Sequence, residues 1–214
     1  MNPASRTRTP AVALPGGSTR EEIGVVFWPD HSPERLDGIF RSTLYRVRRA
    51  LFKDSVIFEA GLYRFNRQGD YWFDVEVFEK LLGEARGLAD TEKIARLQEA
   101  CALYRGDYLS ETGADWCMLD RERLREQYLQ ALETLAVLHT DLEALHAAIE
   151  FYQDVLAHDQ YRESAHRGLM LCYYRLGDRT SAVHQYQVCV EILRKELDLS
   201  PSPETGKLFL KIIG

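Results

Sequence analysis

Apolar residues recur at every third or fourth position through residues 32–52, SPERLDGIFRSTLYRVRRALF. Leu36, Ile39, Phe40, Thr43, Leu44, Val47, Ala50 and Leu51 share one stripe at about 100° per residue, which predicts an amphipathic helix. Ser32-Pro33 marks its start: the serine hydroxyl can accept from an orphan first-turn amide, and proline has a helical φ and needs no donor there. Upstream, Ser18-Thr19-Arg20-Glu21-Glu22 reads as a helix cap leading into REEIGVVFW, which Pro29 stops. Two helices joined by a tight turn make a helix-turn-helix. Downstream the period changes: Ser55 to Glu59 and Leu62 to Phe65 are β-rich runs around Ala60-Gly61, which predicts a short hairpin.

Beyond Asp74 hardly a strand signal remains, and amphipathic helices alternate with short breaks. Residues 34 apart match in Leu135 with Leu169, Ala148 with Ala182, Ile149 with Val183, Tyr152 with Tyr186 and Leu156 with Val190, the period of tetratricopeptide-type helix pairs. Small residues at the alanine positions let paired helices approach closely, and the large ones fill the layer between repeats. Gly177 sits where a helix would end. Two earlier helices, Val75 to Ala89 and Thr91 to Tyr108, match the period poorly and read as a degenerate repeat or a cap. A last helix, Glu204 to Ile213, offers Leu208, Phe209 and Ile212 to close the apolar end of the array. The fold class is thus mainly α: a winged helix-turn-helix with a hairpin wing over 19–69, then an all-α helical-repeat domain over 70–214, with 1–18 as a flexible N-terminal segment.

Charge turns that architecture toward a function. The net charge is −6, yet residues 1–69 carry a net +4 and residues 70–214 a net −10. The first helix-turn-helix partner is followed by a helix with five arginines, of which Arg41, Arg48 and Arg49 lie with Ser42 and Tyr45 on the side away from the apolar stripe, flanked by Arg35 and Arg46. A solvated surface helix looks the same in isolation; the turn before it and the hairpin after it make a winged helix the better reading. In that architecture the second helix enters the major groove of double-stranded DNA and the hairpin lies beside a phosphate strand. Arg41, Ser42, Tyr45 and Arg49 are the candidates for reading or flanking bases, and Arg35, Arg46, Arg48 and the wing's Arg64 for neutralising phosphates. Asp37 in the first turns of that helix would repel phosphate, and Gly38 lowers helix stability by roughly 1 kcal/mol against alanine.

TREEIGVVFWPDHSPERLDGIFRSTLYRVRRALF followed by GLYRF resembles the response-regulator-type winged helix of bacterial activators of the antibiotic-regulatory type. FDVEVFEKLL, ACALYRGDYL, DRERLREQYLQALETLA, YRESAHRGLMLCYYRLGDRTSAVHQYQ and LRKELDLSPSPETGKLF resemble, in the same order, the bacterial transcriptional activator domain that follows it in that family. The likeness covers roughly residues 19 to 213. It implies a transcriptional activator whose helical domain contacts RNA polymerase, another protein or a second protomer as a homodimer. It also implies strands and a first helix ahead of the helix-turn-helix; with eighteen residues before Thr19, a shortened winged helix is expected. The alternative is a tetratricopeptide-like interaction or dimerisation module whose winged helix no longer binds DNA.

Enzyme chemistry finds no support. There is no Gly-x-Ser-x-Gly, no phosphate-binding glycine loop and no glycine fingerprint after a strand, and the six histidines show no His-Glu-x-x-His spacing. No cofactor or metal is expected. Cys101, Cys117, Cys172 and Cys189 include no Cys-x-x-Cys and sit within helical apolar patterns, as buried free thiols of a reducing cytoplasm would. No apolar run approaches a membrane span, and Met1 to Gly17 lacks the apolar core of a signal peptide, so the expected location is cytoplasmic. The acidic and basic neighbours at Asp120 to Arg123, and at Arg125-Glu126, read as solvated ion pairs along one helix.

Overall fold

The computed structural model describes residues 17–214, so the expected N-terminal segment lies outside the described residues except for Gly17 and Ser18. The described chain forms two compact units, one of residues 17–74 and 109–119, the other of 75–108 and 120–214. The segment 109–119, which the sequence pattern leaves inside the helical array, packs with the first unit.

The first unit opens with helix α1, Arg20–Phe27. Thr19 closes a capping box: its hydroxyl accepts from the Glu22 amide at 3.2 Å, and the Thr19 amide donates to the Glu22 carboxylate at 2.8 Å. The chain leaves the helix at Trp28, ahead of Pro29, as the restriction on a residue preceding proline requires. Helix α2, Pro33–Ala50, has proline in its first turn, but Ser32 makes no side-chain cap. Its hydroxyl bonds the Glu34 carboxylate instead, which holds that carboxyl below its usual range. The two helices touch where Gly24 is buried; a Cβ there would lie 2.5 Å from a Leu36 methyl, so close approach explains the glycine.

Strands β1, Val56–Glu59, and β2, Leu62–Phe65, pair antiparallel with Ile57 opposite Arg64 and Phe58 opposite Tyr63. Ala60 and Gly61 both have positive φ, 52° and 81°, the signature of a two-residue turn matched to strand twist. Ser18 adds a bridge to the outer side of β2, exchanging both backbone hydrogen bonds with Tyr63 at 2.8 and 2.9 Å. Phe40 is the buried residue of α2, and its ring meets Tyr63 edge-on at 4.7 Å, which fixes the hairpin to the helix. Trp116 of the returning segment lies 5.0 Å from the Phe27 ring, and Cys117 beside it is fully buried.

Apart from Asp74, Met118 and Leu119 at the starts of two helices, the second unit holds α3 (Asp74–Ala85), α4 (Asp90–Leu103), α5 (Met118–Asp141), α6 (Leu145–His158), α7 (Glu163–Arg175), α8 (Arg179–Leu197) and α9 (Pro203–Ile213). Its core is a row of clusters, as expected of stacked repeats that each contact their neighbours. Phe78, Ala100 and Leu124 form one, Leu97, Ala131 and Leu135 the next, then Leu132, Ala148, Val155 and Leu169, then Met170, Ala182 and Ile212. Ala148 and Ala182, one repeat apart, are completely buried. Gly168 stands where a Cβ would lie 2.2 Å from the Tyr152 ring. Gly177 closes α7 with φ 81°, Asp178 caps α8 through the Ser181 amide at 2.9 Å, and Ile212 is buried with Leu208 and Phe209 packed beside it.

Two expectations about polar residues change. The charges at Asp120 to Arg123 are not only local pairs: Arg123 binds Asp120 at 3.0 Å and also Glu79 on α3, and Arg121 donates to the Tyr108 carbonyl at 2.8 Å. The charge asymmetry also shrinks when counted by unit, since residues 1–74 and 109–119 hold eleven Lys+Arg against eleven Asp+Glu. The cation excess is a property of α2, with five arginines against Glu34 and Asp37, rather than of the unit that carries it.

Candidate nucleic-acid interface

Helix α2 turns its apolar side, with buried Phe40, toward the hairpin and the rest outward. Arg35, Arg41, Ser42, Tyr45, Arg46 and Arg49 are all exposed, and Tyr45 keeps 65% of its surface, a large aromatic left on an otherwise cationic face. Three members of the sequence-derived set, Arg41, Arg48 and Arg64, are engaged by partners within the chain.

Arg48 is half-buried, and its Nε and Nη2 both donate to the Val56 carbonyl at 3.1 and 2.6 Å. It follows Val47 by one residue and Leu44 by one turn, so it belongs to the edge of the apolar stripe and not to the far side. A guanidinium bound to a strand carbonyl fixes the hairpin against α2. Arg64 projects from β2, which supplies the wing, and forms an ion pair with Glu59 on the facing strand.

Asp37 departs most from expectation. Its Oδ1 lies 2.5 Å from Arg20 Nη1 and its Oδ2 2.9 Å from Arg41 Nη2, so each oxygen has its own guanidinium. Arg20, which also holds Glu21 at 2.7 Å, is the contributor that the sequence pattern did not reveal. It stands 17 positions from Asp37, on another helix, where no periodicity connects the two. Capping at Thr19 orients the first turn that carries it.

No group of three or more His, Cys, Asp or Glu side chains positioned to hold a metal is present among the described residues. The cysteines are free, and burial pushes the Cys101 thiol up to about 12 and the Cys189 thiol to about 11, far from a reactive thiolate. His166 is buried and held neutral: its Nε2–H donates to the Gln160 carbonyl at 2.9 Å, its Nδ1 accepts from Gln185 at 2.5 Å, and burial lowers its pKa. No described helix is long and apolar enough to cross a membrane.

The chain is 26% identical over 218 residues to Regulatory protein AfsR of Streptomyces griseus and 24% identical to that of Streptomyces coelicolor. Each alignment covers 99% of this chain and 22% of the relative, so the chain spans about a fifth of their length. Among solved structures it is similar to Mycobacterium tuberculosis EmbR in complex with a low affinity phosphopeptide, with a TM-score of 0.78 at 17% identity over 92% of this chain and 55% of that one. The C-terminal TPR-containing domain of a Plasmodium falciparum FK506-binding protein matches 67% of this chain and 92% of its own, with a TM-score of 0.50 and 17% identity. At those identities the two structures speak for the mainly helical, repeat-containing fold alone. Residues 73–213 match the model of the bacterial transcriptional activator domain, and the chain therefore belongs to that family of transcriptional regulators, whose matched region is not an enzyme.

Proposed function

We propose that the protein binds double-stranded DNA at promoter sites through α2 and regulates transcription, most directly as an activator, through its helical repeats. The observation that carries this reading is the exposed face of α2, where Arg35, Arg41, Ser42, Tyr45, Arg46 and Arg49 stand together beside a hairpin that Arg48 fastens to the same helix. Arg49 and Arg41 suit guanine O6 and N7, Ser42 and Tyr45 suit base edges and thymine methyls, and Arg35, Arg46 and Arg64 suit phosphates. Arg48 is reassigned from phosphate contact to positioning the wing. The second unit supplies the partner surface, for RNA polymerase, another protein or a second protomer, as the family's role in activation implies.

A second reading rests on a specific observation: Arg41 and Arg64 are each already paired with a carboxylate, which reduces the cations ready for a phosphate strand. On that reading the chain is a helical-repeat interaction or dimerisation module. Selection of genomic fragments by the purified protein, with anisotropy titration of any enriched site at two salt concentrations, separates the two. A recurring short site bound with steep salt dependence supports the regulator. Weak binding without enrichment overturns it in favour of the interaction module.

A further inference from the structure

We propose that Asp37 is a specificity-determining residue: held by Arg20, its carboxylate acts as a fixed counter-charge that withholds Arg41 from phosphates and yields it to a base edge. The inference rests on the DNA-binding reading of α2 and names how that face rejects wrong sequences.

The geometry assigns each group a part. Asp37 is bound through both oxygens, to Arg20 at 2.5 Å and to Arg41 at 2.9 Å. Arg20 has a second anchor in Glu21, through Nε at 3.1 Å and Nη2 at 2.7 Å, so it is tied on both sides and is no spare cation. The Asp37 and Arg20 side chains keep 36% and 39% of their surface, whereas Arg41 keeps 78%. The carboxylate is the seated member and Arg41 the one free to swing. An acid four residues ahead of an arginine is the favourable order for a helical pair, yet such exposed pairs are weak enough to open when a better partner arrives.

What counts as a better partner follows from geometry. A phosphate offers Arg41 anionic oxygens, the same kind of charge-assisted contact that Asp37 already supplies, so exchanging one for the other gains little at any sequence. A guanine offers O6 and N7 in the plane and spacing of a guanidinium fork, and no aspartate oxygen already engaged by Arg20 reproduces that pair. The counter-charge therefore weakens binding to all sequences, and the correct base restores it at one. Discrimination built from an opposing contact in this way needs no additional attraction to the right partner. It also gives a use to an acidic residue at a position where the sequence pattern alone shows only repulsion.

The test compares the full chain with Asp37→Asn, Asp37→Glu, Arg41→Gln and the Asp37→Asn/Arg41→Gln double variant. Each is titrated by anisotropy against the enriched site and against a scrambled duplex of equal length, at two salt concentrations. Asp37→Asn should bind the scrambled duplex about threefold to tenfold more tightly and steepen its salt slope by about 0.9, the contribution of one further phosphate contact. The enriched site should gain less, so the ratio of the two affinities falls severalfold. Asp37→Glu keeps the charge and should keep the parent ratio within about twofold, and in the Arg41→Gln background Asp37→Asn should change neither slope nor ratio. A parent that binds its site while Asp37→Asn leaves ratio and slope unaltered overturns the inference and leaves the DNA reading standing. An Asp37→Asn effect of equal size without Arg41 also overturns it, since bulk charge would then suffice. Failure of parent and Asp37→Asn alike to bind any duplex at low salt removes the DNA reading itself.

Discussion

Arginine is put to opposite uses in the two units. In the helical unit Arg162, with 16% of its side chain exposed, collects Glu126, Glu133 at 3.0 Å and Asp159 at 3.2 Å, joining α5 to the turn before α7. On α2, Arg35, Arg46 and Arg49 stand exposed, and Arg41 holds a single carboxylate oxygen. Both sets are cations on amphipathic helices, and composition does not separate them. The difference lies in whether the fold itself satisfies the guanidinium, and on the proposed DNA-binding face it does not. Glycine gives a parallel contrast: Gly168 faces a buried aromatic ring, whereas Gly24 faces the flexible end of Leu36.

The largest expected effect probes the glycine contrast. In Gly168→Ala the new methyl meets the Tyr152 ring, itself 6% exposed and walled in by the repeat core, so either the ring or α7 must shift. A loss of about 3 kcal/mol in urea unfolding is expected, at the upper end for an overpacked core. Gly24→Ala meets the outer part of the flexible Leu36 side chain, which can rotate, and should cost about 1 kcal/mol. Equal costs would break the claim that the repeat layer is the less accommodating of the two.

Removing the arginine hub comes next. Arg162→Met leaves three carboxylates facing one another, and a loss of about 2 kcal/mol at neutral pH is expected, below the value for a fully buried pair because Glu126 remains half exposed. The sign of its pH dependence follows from Glu126, whose hydrogen bond to Arg162 holds its carboxyl below the usual range. A group with a depressed folded pKa stabilises above its unfolded value, roughly 4.3, and loses that contribution as pH falls through the folded one. The gap between parent and variant should therefore close below about pH 4. A constant gap down to pH 3 would show that packing of the arginine stem, and not its charge, is what α5 and α7 share.

On α2 the same deletion should read out differently. Arg49→Ala should weaken the enriched site about tenfold, equivalent to about 1.4 kcal/mol, and leave the melting temperature within a degree of the parent. Arg48→Ala should lower the melting temperature as well, because the Val56 carbonyl loses both of its guanidinium donors. If the two variants lose affinity and stability in the same proportion, the division between satisfied and unsatisfied arginines fails.

Much of this division is legible in the sequence where local physics decides it. The 3.6-residue stripe gave α2, the 34-residue matches gave α6 to α8, and Ala60-Gly61 gave the hairpin, because each rests on neighbours close along the chain. What stayed hidden depends on distant partners. Arg48 and Arg49 are adjacent and chemically identical, and only the approach of Val56 tells them apart. Asp37 reads as a flaw until Arg20 arrives from another helix, and Trp116 reads as part of the helical array until it is seen against Phe27. The position of 109–119 in the first unit has no local signature at all, since its packing is decided across roughly ninety residues of chain.

The smallest effect concerns the hairpin turn, where sequence and structure are in mild conflict. Ala60 adopts φ 52°, a left-handed conformation in which its Cβ crowds the following carbonyl, while Gly61 at φ 81° carries no such penalty. Ala60→Gly relieves that strain but enlarges the entropy of the unfolded chain, so the net gain should be about 0.5 kcal/mol. Ala60→Asn, which tolerates the same region without the added entropy, should gain slightly more. Because β1 also accepts Arg48 through the Val56 carbonyl, a firmer turn should be felt at α2, as slower amide exchange at Phe58 and Tyr63 and an unchanged ratio of specific to nonspecific affinity. A turn variant that altered that ratio would mean the wing reads sequence as well as phosphate, and the contrast between a reading helix and a supporting hairpin would have to be redrawn.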